Sequence, residues 1–93
     1  MNHKRIYDNI VNKAKLEYFN NLRFKGDGKY YEWHHITPRC LGGDNSEDNM
    51  VMLTGKEHFI CHALLCYIYP NESKLLYAFN MMKSMPNTRR NII

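Results

Sequence analysis

Four of the five histidines in this chain fall into two pairs whose spacing can do chemistry. His34 and His35 are adjacent, inside a stretch from Tyr30 to Thr37 rich in aromatic and β-branched residues, which predicts a strand. His58 and His62 stand four apart in a run that predicts a helix, so their rings project from one face. Adjacent strand residues point to opposite sides, so His34 and His35 cannot share one job unless the strand ends or twists there. One can face the helix and join His58 and His62, which leaves the other to reach a substrate. Three imidazoles around one divalent ion leave coordination positions open, as in a catalytic rather than a closed structural site. A lone histidine is ordinarily a surface residue or a satisfied core residue, and His3, which has no such company, is read as surface.

These side chains need a scaffold, and the 93 residues make one small domain of the α+β class, 1–93. Ile6, Ile10, Ala14 and Tyr18 recur at intervals of four, with Tyr7 and Val11 beside them, which predicts a helix over about 4–22 with Asn2 or His3 at its start. Lys25-Gly26-Asp27-Gly28-Lys29 is a turn. Pro38 ends the first strand, and residues 41–48, rich in Gly and Asx, form a loop. Met50 to Leu53 can pair back as a second strand. Thr54 and Glu57 match a capping box, so a helix is expected from about Gly55 to Tyr69, where Pro70 stops it. Asn71 is the expected cap of a last helix, about 72–84, with Leu75, Leu76, Phe79 and Met82 facing inward. Residues 86–93 read as a basic, weakly ordered tail. The unit at 30–69 is then a two-stranded antiparallel hairpin and a helix, flanked by one helix on each side.

Composition narrows the partners. Thirteen Lys and Arg against nine Asp and Glu give a formal charge of +4, which favours an anionic partner without requiring one. Cys40, Cys61 and Cys66 form no C-x-x-C pair, which excludes a zinc ribbon and fits a reducing compartment; Cys61 and Cys66 are read as core. No apolar stretch follows the basic amino terminus and none reaches the length of a membrane span, so a cytoplasmic protein is expected. Trp33 is most simply read as core.

The residues His34-His35-Ile36-Thr37-Pro38, Gly42-Gly43, Asn49 and Glu57-His58 with His62 have the spacing H-H-x13-N-x8-H-x3-H. This pattern resembles the HNH, or ββα-metal, endonucleases. The H-x-x-x-H end resembles the bacteriocin nuclease domains. The flanking Tyr31-Glu32-Trp33 and Phe59-Ile60 context, with His62-Ala63-Leu64-Leu65, is closer to the free-standing homing endonucleases of tailed phages. The resemblance covers about residues 30–83.

It implies a general-base role for His35 and metal-ligand roles for His34, His58 and His62. Asn49 matches the middle residue of the motif, which ties the loop and helps to hold the base. The implied reaction is hydrolysis of DNA, as a nick or a double-strand cut, with one divalent ion. Imidazoles suit Zn²⁺, Ni²⁺, Co²⁺ and Mn²⁺, whereas Mg²⁺ prefers oxygen ligands, so Zn²⁺ should be held tightly while the ion that turns over stays open. Arg39 and Lys56 are candidate phosphate contacts, with Arg23, Lys25, Lys29, Arg89 and Arg90 as further cations; Asp44, Glu47 and Asp48 are read as loop residues. Phage enzymes of this kind carry a DNA-recognition region after the catalytic unit. Its absence after residue 83 leaves weak recognition, a partner protein, or a piece of a longer protein; a homodimer also stays open. Rival readings are a non-catalytic zinc-stabilised nucleic-acid-binding module, and a nonspecific toxin-type or packaging-associated nuclease of the same motif.

Overall fold

In the computed structural model, residues 1–84 are described. They form an α+β unit in the order α1 (His3–Phe19), β1 (Tyr31–His35), β2 (Met50–Thr54), α2 (Gly55–Ile68) and α3 (Ser73–Ser84). The basic tail expected at 86–93, with Arg89 and Arg90, lies outside the described residues.

Asn2 caps α1 by accepting from the Arg5 amide at 3.0 Å. The helix ends three residues earlier than the periodicity predicts. Asn21 adopts a left-handed conformation (φ 59°), and the Leu22 and Asn21 amides fold back onto the Glu17 and Tyr18 carbonyls at 2.8 and 3.2 Å. That is a Schellman stop, with asparagine where glycine is usual. The buried stripe is Tyr7, Val11 and Ala14, while Tyr18 at the end of the expected stripe is 48% exposed.

β1 and β2 pair antiparallel, with Glu32 opposite Leu53, Trp33 opposite Met52 and His34 opposite Val51. Alternation turns Glu32 and His34 inward and leaves Trp33 outside. The expectation of a core Trp33 therefore fails: the ring is 49% exposed, because strand register and not ring size decides its face. Between the strands, the loop folds tightly back on itself. A Cβ at Gly43 would collide with the Thr37 carbonyl, so only glycine fits there.

The capping box forms as expected. The Glu57 amide donates to Thr54 Oγ1 at 3.1 Å and the Thr54 amide donates to Glu57 Oε1 at 2.9 Å. α2 lies over the inner face of the hairpin, with α1 and α3 against it. Val51, Leu53, Cys61, Leu64, Leu65 and Leu75 join the α1 stripe in one core. Burial of a residue such as Leu53 contributes about 1.5–3 kcal/mol. Cys61 is buried, as expected, and Cys66 is only partly so.

α3 starts at Ser73, so Asn71 lies in the preceding turn and does not cap it. Leu75 and Met82 are buried, and Phe79 meets Phe59 at 5.0 Å. Leu76 is 54% exposed and not on the inner face: the packed stripe is 75, 79, 82, and 76 falls outside it. Among the described residues, no helix is long and apolar enough to cross a membrane.

Candidate active site and metal centre

His34 comes inward from β1 and meets His58 and His62 from one face of α2. All three are buried, and their ring centroids lie 4.8–5.2 Å apart. One nitrogen from each lies within 4.8 Å of the others, so the three can hold a metal ion.

Their hydrogen bonds decide which nitrogens are free to do so. The Tyr7 hydroxyl has one proton and gives it to the Ile36 carbonyl at 2.6 Å. It must therefore accept from His34 Nε2–H, which stands 2.7 Å away. His34 Nδ1 is left as a bare lone pair, buried and without a hydrogen-bond partner. His62 Nδ1 is likewise buried and unpartnered. His58 Nδ1 lies 2.8 Å from Glu32 Oε1, so Nδ1–H donates to the carboxylate and Nε2 is the nitrogen that could ligate. A ring oriented by a carboxylate or hydroxyl, with the other nitrogen aimed inward, is the usual second shell of a metal-ligating histidine.

Burial, reinforced by the charges of His62, His58 and His35, holds His34 well below the ordinary histidine value. Burial and His58 take His62 down to about 3, against a smaller upward pull from Glu32. Both rings are thus neutral near pH 7, the form that ligates. Two orphaned nitrogens in a dry core are costly, and a cation bound through their lone pairs would satisfy them. The donor set therefore fits the divalent ion that the sequence implies. Tyr7 stays a neutral hydroxyl because burial, chiefly, pushes its phenol above the ordinary range. Burial also raises the Cys61 thiol to about 12, so it offers no thiolate.

His35 takes no part in the cluster. It sits at the half-buried end of β1, with Nε2 at 2.7 Å from Asn45 Oδ1. With that oxygen accepting, Nε2–H is the donor of this bond. His35 nevertheless lines the same cavity of about 150 Å³ as His34, His58 and His62. Arg39 and Lys74 line it too, whereas Lys56 does not.

Asn49 ties the loop. Its side chain accepts from the Thr37 amide at 2.8 Å and donates to the Thr37 and Asp44 carbonyls at 3.0 and 2.8 Å. The side chain bonded to the His35 ring is Asn45, so any hold that Asn49 has on that ring runs through the loop. Asp44 accepts from the Ser46 amide and hydroxyl, an Asx turn that holds its carboxyl below the usual range. Arg23 is not a free cation: it is buried against Glu17 and Glu57.

Sequence reasoning missed Tyr7, Glu32, Asn45 and Lys74. Glu32 was accessible, since it lies two residues before His34 on the same strand face. Tyr7, Asn45 and Lys74 reach the site only through tertiary packing, and no local signal marks them.

No family model matches the chain, and no solved structure matches it significantly. The chain is similar to "Probable mobile endonuclease E" of Enterobacteria phage T4, 40% identical over 90 residues, which cover 97% of this chain and 58% of that protein. It is 42% identical to "Probable mobile endonuclease D" of the same phage over 79 residues, 85% of this chain and 29% of the relative. With "Probable mobile endonuclease B" it shares 42% over 93 residues, 98% of this chain and 33% of the relative. The chain thus spans between about a third and three fifths of the length of these relatives.

Proposed function

We propose that this chain is the catalytic unit of a metal-dependent DNA endonuclease of the HNH, phage-homing kind. The observation that carries this reading is one cavity with two kinds of histidine: three buried rings with one nitrogen each within 4.8 Å of the others, and a fourth, His35, held by Asn45 outside the cluster. The names of the T4 relatives support nuclease chemistry.

His34, His58 and His62 hold the ion, which when bound supplies positive charge to the phosphodiester and its departing oxygen. His35 Nδ1 accepts a proton from water near neutral pH. The water oxygen bonds to phosphorus as the bond to the 3′ oxygen breaks; the departing 3′ oxygen takes a proton from solvent and His35 returns its own to solvent, leaving 5′-phosphate and 3′-hydroxyl ends. Asn45 keeps the other His35 proton on Nε2, so that the basic nitrogen is the one left open. Arg39 and Lys74 stand at the same cavity and offset the phosphate charge. One such site cuts one strand per encounter, so a double-strand break needs a second event or a second copy.

The test is relaxation of supercoiled plasmid by metal-stripped protein after addition of Mg²⁺, Mn²⁺, Ni²⁺ or Zn²⁺. Wild type is expected to nick. His35→Ala is expected to bind metal normally and to lose about 10²–10⁴-fold in rate. His62→Ala is expected to lose both metal and activity. Tight metal binding without nicking under any ion would replace this reading with a zinc-stabilised nucleic-acid-binding module.

A further inference from the structure

Three surface cavities share the Trp33 side chain as a wall. Trp33 lies two residues before His35 on the same face of β1. Its ring meets Tyr18 edge-on at 6.0 Å, and 49% of its surface still stays open. The largest apolar ring on the strand thus faces solvent beside the candidate base, while Glu32 and His34 occupy the inside.

Charge separates the three cavities. The one toward the end of α1 is lined by Glu47 and Asp48, and its Lys15 ammonium is already donated to the Asp48 carbonyl at 3.2 Å. The one of about 460 Å³ toward the 25–29 turn is lined by Lys25, Lys29, Tyr30 and Tyr31, with no acidic residue. The cavity at His35 has Arg39 and Lys74 and no acidic residue either. None of these four cations makes an ion pair among the described residues. A strip of cations without ion pairs among the described residues therefore runs from the 25–29 turn, where the one carboxylate, Asp27, is already bonded to the Tyr31 hydroxyl (2.6 Å) and the Lys29 amide (2.9 Å), to the His35 cavity, with an open indole at its centre.

We propose that this strip is the track of the nucleic-acid strand that is cut, with Lys25 and Lys29 on backbone phosphates and Trp33 stacked on a base next to the scissile bond. This rests on the reading of His35 above and names how its substrate is held. Cations on the backbone with an aromatic face for the bases is the common solution for an unpaired strand. A base can reach the Trp33 ring only when unstacked from its neighbour, so the track takes a strand that is single or locally opened at the cut. The acidic wall toward Glu47 and Asp48 repels the same strand, which sets the direction of the path.

Trp33 is the chain's one tryptophan, so its fluorescence reports this contact alone. The experiment uses zinc-loaded His35→Ala protein, to bind without cutting, titrated with an unlabelled single-stranded DNA 12-mer. Quenching of Trp33 emission on binding is expected, and Trp33→Leu is expected to weaken binding about 10- to 100-fold. Joint Lys25→Gln and Lys29→Gln, on an exposed turn whose change does not disturb the core, is expected to reduce the slope of log affinity against log salt by about 1.4. Binding with unchanged Trp33 emission and an unchanged salt slope would overturn the track. So would an absence of binding while the wild type nicks plasmid, and that result leaves the site's nuclease reading standing. Absence of both binding and nicking removes that reading together with the track.

Discussion

The hairpin carries a buried polar cluster at each end, and the two are finished to different degrees. At the Tyr31–Thr54 end, the Arg23 guanidinium gives Nη1 to Glu57 (2.6 Å) and to the Met52 carbonyl (2.9 Å), and Nη2 to Glu17 (2.8 Å). Glu57 also accepts from the Thr54 amide, and Lys13 stands 3.9 Å from Glu17, so two cations face two carboxylates and the buried donors have acceptors within the protein. At the His35–Met50 end, His34 and His62 keep two buried nitrogens without a hydrogen-bond partner. Both clusters pay for desolvation, but only the first recovers it from its own side chains. A closed cluster of this kind holds a fold together. An open one, with buried nitrogens left over, can be completed by a metal ion from outside the chain.

Acid should separate the two ends most strongly. In the metal-stripped protein, His34 and His62 are held neutral by burial, His62 down to about 3. The unfolded chain protonates the same rings near pH 6.5. Below that pH the unfolded state binds more protons, so stability falls as pH falls. The slope is about 1.4 kcal/mol per pH unit for each ring, on the order of 4 kcal/mol between pH 6.5 and 4.5. Glu57 loses stability in the same direction but in a lower pH window. Burial pushes its carboxyl up, but hydrogen bonds from Arg23 and the Thr54 amide outweigh this and hold it below 4.5. Its contribution is complete above pH 4.5 and is lost only as pH falls through the lower folded value. Urea unfolding of chelator-treated protein at pH 6.5, 5.5 and 4.5 checks this. Constant stability across that window would mean that the histidine rings take protons without cost, and the contrast between the ends would be gone.

Arg23→Ala attacks the closed end. It leaves Glu57 and Glu17 without their cation and the Met52 carbonyl without a donor, so a loss of about 3–5 kcal/mol in urea unfolding is expected. The zinc affinity of the molecules still folded should be unchanged, because the Arg23 guanidinium bonds to Glu17, Glu57 and the Met52 carbonyl. A parallel loss of zinc affinity would show that the ends are coupled through α2, whose first turn carries Glu57 next to His58.

The same contrast explains what the sequence could tell. The His58–His62 spacing, the Thr54–Glu57 box and Pro70 are signals written within a few residues, and the elements they predict stand where expected. The stop of α1 was missed because Asn21, and not a glycine, takes the left-handed position. Trp33 was misplaced because one strand with aromatic residues on both faces does not say which face is buried. Arg23 reads as one more candidate phosphate contact because two of its partners, Met52 and Glu57, are 29 and 34 residues away, and the loop that brings Glu17 to it carries no pairing signal. Tyr7 stands 27 residues from His34 and reaches it only when α1 docks. Local pattern shows which histidines share a helix face; it does not show what completes their outer nitrogens.

Those outer nitrogens offer the mildest cut at the open end. Tyr7→Phe removes one oxygen, the acceptor of His34 Nε2–H and the donor to the Ile36 carbonyl. The ring is then free to change tautomer or turn, and Nδ1 is no longer fixed as the lone pair facing His58 and His62. Loss of such an outer partner typically weakens metal binding 10- to 100-fold, about 1.4–2.7 kcal/mol. Chelator competition with Zn²⁺ should show a decrease of that size, while Arg23→Ala shows none. An unchanged zinc affinity in Tyr7→Phe would mean that His34 does not ligate through Nδ1, and its buried lone pair would need another explanation. A decrease as large as that of His62→Ala would mean that Tyr7 holds the whole cluster in place, because its hydroxyl bridges His34 to the start of the loop that carries Asn45 and Asn49.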